Sequence, residues 1–166
     1  MRAKSVLMFA AAFGVVMGGL EQGAGETKAK SAMDMAASRA VVMPASDLKW
    51  VDLDPVGAPG IKIVDLWGNH TTGAFGALIK FPAGFVAPMH THTNDYNVVV
   101  LSGTWINGPE GRPAISLGPG SYMLQPGENF RHTTTCDAAS ECVVHVESKG
   151  KFDLKVVEAG KGPVKK

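Results

Sequence analysis

Two histidines one residue apart, His90 and His92, lead the stretch PMHTHTNDYNVVV. On an extended chain successive side chains alternate, so His90, His92, Asn94, Tyr96 and Val98 share one face, and Asp95 and Asn97 the other. Two imidazoles at i and i+2 can therefore aim into one cavity, as adjacent metal ligands must. Neutral imidazole suits Zn, Fe, Ni, Cu and Mn. A polar HTHT run also serves as a solvated turn before a buried strand, and the pair alone leaves both readings open. The only cysteines, Cys136 and Cys142, lie in TCDAASECVV. In an oxidising compartment they read as a short-loop disulfide across the base of a hairpin. The alternative is a pair of metal thiolates, although C-x5-C is not a common zinc spacing and no second pair exists. The chain has no G-x-S-x-G elbow, phosphate loop or C-x-x-C pair, so serine-nucleophile and dinucleotide chemistry have no support.

The elements that would carry these groups are short and β-rich. LKWVDL, IKIVDLW, FGALIKF, YNVVVLSGTWI, AISL, SYMLQ, FRHTTT, CVVHVES and FDLKVV are separated by DPVGAPG, GNHTTG, PAG, NGPEGRP, GPG and PGEN. Many short strands at this spacing, with no long segment of 3.6 period, predict an all-β sandwich or barrel. His145, in CVVHVES, is expected to be a hydrogen-bonded structural histidine, and His70, in the turn WGNHTTG, a solvated one. Trp50, Trp67 and Trp105 read as core before pocket wall, and Gly103 and Gly120 as turn residues.

At 166 residues the chain has a one-domain length. Arg2 and Lys4 precede the apolar run SVLMFAAAFGVVMGGL, which gives way to EQGAGETKAK. A charged head and an apolar segment short for a bilayer span predict a signal peptide over residues 1–24, with an uncleaved anchor as the alternative. A linker (25–40), one domain (41–158) and a flexible tail (159–166) follow. The mature protein is then expected to be periplasmic or secreted, with no stable membrane span. Of 16 basic and 15 acidic side chains, the leader removes Arg2, Lys4 and Glu21, leaving 14 of each. So balanced a surface lacks the concentrated basic face that nucleic acid requires.

Residues 84–103 resemble the first motif of the cupin superfamily, G-x5-H-x-H-x3-E-x6-G. Gly84, His90, His92 and Gly103 stand at its spacings, with Tyr96 in place of Glu. GSYMLQPGENFRH resembles the second motif, G-x5-P-x-G-x2-H, through Gly120 and Pro126, although Gly127 directly follows the proline and His132 falls one residue late. The resemblance implies a cupin-type double-stranded β-helix, a jelly-roll barrel, holding one divalent metal on His90, His92 and His132. It implies for Tyr96 a hydrogen bond to a metal-bound water or ligand, because a phenol of pKa about 10 is a poor ligand at neutral pH. Asp95 should face outward. Similar three-histidine iron proteins cleave C–C bonds or oxidise thiols with O2, so the resemblance points to a metal-dependent small-molecule enzyme such as a dioxygenase. The alternatives are a non-catalytic cupin that captures or senses a small molecule or metal, and one that has lost its metal. Cupins commonly dimerise through their sheets, which adds a homodimer to the expectations.

Overall fold

A computed structural model describes residues 40–157. The predicted leader, nearly all of the linker, and the tail lie outside the described residues. After a 3-10 turn at Ala45–Asp47 come eleven strands: β1 (Val51–Asp54), β2 (Ala58–Gly68), β3 (Phe75–Phe81), β4 (Val86–Thr91), β5 (Tyr96–Ser102), β6 (Trp105–Pro109), β7 (Ile115–Leu117), β8 (Tyr122–Gln125), β9 (His132–Cys136), β10 (Cys142–Ser148) and β11 (Lys155–Val156). They form a six-stranded sheet in the order β1-β2-β3-β10-β5-β8 and a five-stranded sheet in the order β11-β4-β9-β6-β7. All pairings are antiparallel. This is the all-β jelly roll expected.

Period-two alternation builds the interior. Phe75, Ala77, Ile79 and Phe81 of β3 turn inward with Tyr96, Val98 and Val100 of β5 and with Cys142, Val144 and Val146 of β10. Burying one such large apolar side chain contributes about 1.5–3 kcal/mol. One end of the barrel is closed by Phe81, Phe85 and Trp105, with ring centroids 5.4 and 4.7 Å from Phe81. The opposite end carries the β2–β3, β4–β5, β8–β9 and β10–β11 connections.

Three predicted strands differ from those observed. The run 90–98 is not one strand: β4 ends at Thr91, a turn at Thr93–Asn94 follows, and β5 belongs to the other sheet. YNVVVLSGTWI divides at Gly103, whose φ of 77° makes a corner between sheets. A Cβ there would stand 2.5 Å from Glu141 O and 2.9 Å from Cys142 Sγ, so the corner requires glycine. In FDLKVV only Lys155–Val156 pairs, and Lys151–Leu154 forms a strap instead.

Cys136 and Cys142 form the disulfide, with Cα atoms 5.8 Å apart. It does not close a hairpin. Cys136 ends β9 in one sheet and Cys142 begins β10 in the other, so the bond staples the two layers at the end of the barrel away from the histidines.

Candidate metal centre

His90 owes its direction to a bulge. Ala87 pairs with Thr134 and His90 with His132, so Pro88 and Met89 oppose Thr133 alone. Proline has no N–H to give the ladder, and bulges accommodate it. Unbroken alternation from the buried Ala87 would have turned Met89 inward; the extra residue turns His90 inward instead. His92 lies just past the strand end and faces the same cavity. His132 opens β9 directly across from His90.

The three imidazoles converge. Their ring centroids are 4.1 Å (His90–His132), 4.9 Å (His90–His92) and 5.2 Å (His92–His132) apart. One nitrogen from each can be chosen so that all lie within 4.8 Å of one another, a group able to hold a metal ion. All three side chains are buried. The outward nitrogens are occupied by the protein: His90 Nδ1 bonds Pro88 O at 2.6 Å, and His92 Nδ1 bonds Asp153 O. His132 Nδ1 lies 3.4 Å from Phe130 O and 3.2 Å from the Gln125 amide nitrogen. Gln125 is itself buried and its Oε1 has no partner. Turning its amide over, an exchange of two groups of the same shape, would let that oxygen accept the His132 Nδ1 proton and would give up the 3.4 Å bond that the amide nitrogen donates to Pro126 O. In that arrangement every Nδ1 would have an acceptor and each tautomer would leave Nε2 free, as in the outer shell of histidine metal sites.

Burial lowers the pKa of His90 against the opposing Pro88 carbonyl. It lowers His92 to about 4, assisted by repulsion from His90 and opposed by the Asp153 carbonyl. Burial, with repulsion from His90 and His92, brings His132 to about 3. The rings are thus neutral near pH 7, the state in which imidazole ligates. Three neutral nitrogens and no carboxylate suit a divalent first-row ion.

Tyr96 lines the same cavity, its ring centroid 4.7 Å from that of His92. Its hydroxyl is engaged by the strap, accepting from Asp153 N at 3.1 Å and donating to Lys151 O at 3.4 Å. Burial pushes the phenol up to about 12, so it stays protonated. Asp95 faces outward, as expected, and accepts from Gly127 N at 2.7 Å, joining the β4–β5 turn to the β8–β9 loop. Asn94 leaves the predicted face because the strand has ended; its amide donates to Lys151 O.

The cavity measures about 800 Å³, with Ile79, Val98, Trp105, Val144 and Phe152 among its apolar walls. His145 sits on the outer face of β10, its Nε2 3.9 Å from Glu147 Oε1. His70 corrects the expectation of a solvated turn residue. It lines the cavity, and its Nδ1 is bonded to both oxygens of Asp65. Trp67 is half exposed and Trp105 is core. The strap and Gln125 were not legible as site residues, since nothing local marks a backbone carbonyl or a strand-end amide as a partner of a distant histidine.

A family profile described as a domain of unknown function, DUF4437, matches residues 41–163. No curated protein matches the chain. Among solved structures, an RmlC-like cupin from Ralstonia eutropha JMP134 is similar at 18% identity and a TM-score of 0.58, covering 79% of this chain and 80% of its own. The polyketide cyclase RemF from Streptomyces resistomycificus shares 17% identity at a TM-score of 0.56, covering 74% and 89%. The DMSP lyase DddQ from Ruegeria pomeroyi DSS-3 shares 17% at 0.55, covering 79% and 78%. The solved structures give the chain a cupin fold, in keeping with its sheet order, and the profile over residues 41–163 settles its family: the chain belongs to the DUF4437 family.

Proposed function

We propose that this protein is an exported cupin that holds one divalent metal ion on Nε2 of His90, His92 and His132 and acts on a small, largely apolar molecule. One observation carries this reading. Each ring has its Nδ1 at a backbone carbonyl, and one nitrogen from each of the three buried rings lies within 4.8 Å of the others. Bound there, the ion would supply Lewis acidity, or dioxygen chemistry if it is iron. The chain itself keeps the rings neutral, excludes water with apolar walls and fixes His92 through the strap that Tyr96 anchors.

The reaction class we assign is oxygen-dependent oxidation of a small molecule. Iron(II)-loaded protein should consume O2 with a member of a panel of thiols and β-diketones, and His132→Ala should abolish the uptake. No uptake by iron-replete protein across the panel would favour the rival reading, a binding or sensing cupin. Leu101, Tyr122 and Leu124 lie exposed on β5 and the edge strand β8, and we assign them to a homodimer contact that light scattering would test. Among the described residues no helix is long and apolar enough to cross a membrane.

A further inference from the structure

A second reactive group faces the cavity. Asp65 follows Ile61 and Ile63 on the inward face of β2, ahead of a bulge between Asp65 and Trp67. In the next turn His70 places Nδ1 3.0 and 2.9 Å from the two Asp65 carboxylate oxygens, and its backbone N–H reaches the same carboxylate. Only 14% of its side chain is exposed. Its ring packs edge-on against Phe75, and its carbonyl accepts from Phe152 N at 2.7 Å, in the strap that holds His92. Among the described residues its Nε2 makes no hydrogen bond, and the residue lines the cavity that holds the three histidines.

A carboxylate that takes the Nδ1 proton fixes the tautomer and leaves the Nε2 lone pair available. We propose that His70, positioned by Asp65, is the proton acceptor of this cavity, serving a largely apolar ligand that carries a hydroxyl or a C–H beside a carbonyl. The ligand's O–H or C–H bond breaks and its electron pair stays on the ligand. The proton forms the new Nε2–H bond, and the imidazolium is compensated by the Asp65 carboxylate. No electron is transferred and no co-reactant is required. The inference rests on the metal-centre reading only in this: an anionic ligand matches the charge of a divalent ion held by three neutral imidazoles.

The test is acylation of zinc-loaded protein by diethyl pyrocarbonate in neutral buffer, with each histidine followed by peptide mass mapping. His70 should react roughly fivefold or more faster than His145, and Asp65→Asn should slow His70 by a similar factor. Accessibility cannot produce that order, because the His145 side chain is 28% exposed against 14% for His70. A His70 no faster than His145, or a rate unmoved by Asp65→Asn, overturns the proposal. Should the variant fail to fold, the wild-type ratio decides alone. A zinc-free sample acylated alongside shows whether zinc slows the modification of His90, His92 and His132 beyond their burial, so failure of the metal reading appears separately.

Discussion

Acid should destabilise the metal-free protein well beyond what its carboxylates dictate, because the cavity imidazoles are buried as neutral groups. In the unfolded chain each histidine takes up a proton as pH falls through about 6.5. In the folded protein His92 does so only near 4 and His132 near 3. Between those limits the unfolded state binds more protons, so stability falls as pH falls. By about pH 5 each of the two histidines has removed about 2 kcal/mol, roughly 4 together, from a total of order 5–15. His90 shifts in the same direction. The assay is urea denaturation of chelator-treated protein at about pH 7.5 and about pH 5, comparing wild type with a His92→Gln, His132→Gln double variant. The variant removes both titrations and keeps every carboxylate, so wild type should lose about 4 kcal/mol more than the variant on acidification. Equal losses would refute the burial of these rings as neutral groups.

Tyr96→Phe removes the acceptor of Asp153 N–H and should cost about 1–3 kcal/mol in thermal denaturation. It should also weaken zinc binding by calorimetry, since the Asp153 carbonyl that orients His92 loses its anchor. Asp95→Ala should leave zinc affinity intact; the reverse pattern would place the wrong side chain at the cavity. Unreduced, unfolded protein should show no titratable thiol, and a Cys136→Ser, Cys142→Ser variant should lose about 2 kcal/mol in urea while keeping its metal, because the bond lies at the far end of β9 from His132. Two free thiols would remove the staple from the account.

The fold class was legible because period-two alternation and turn residues are local signals. The inward directions of His90, His92 and Tyr96 were correct although the strand presumed to carry them was not continuous. Pro88, which marks the bulge, and Asn94, which marks the turn, were both visible, but deciding between a bend and a straight strand depends on the partner β9. The disulfide pairing followed from there being two cysteines. Its role between sheets did not, because a jelly roll sends adjacent strands to opposite layers for reasons of long-range packing. Asp65 and His70 carried a readable signal, an acidic residue ending an inward apolar alternation five residues before a histidine.

Metal content tests the central claim most directly. Protein purified from its native compartment without chelator and analysed by inductively coupled plasma mass spectrometry should carry one divalent ion per chain, and folded His90→Ala, His92→Ala and His132→Ala variants should each lose it. A folded wild type that is empty and takes up neither zinc nor iron(II), or a His132→Ala variant that keeps its full complement, would contradict the three-histidine centre.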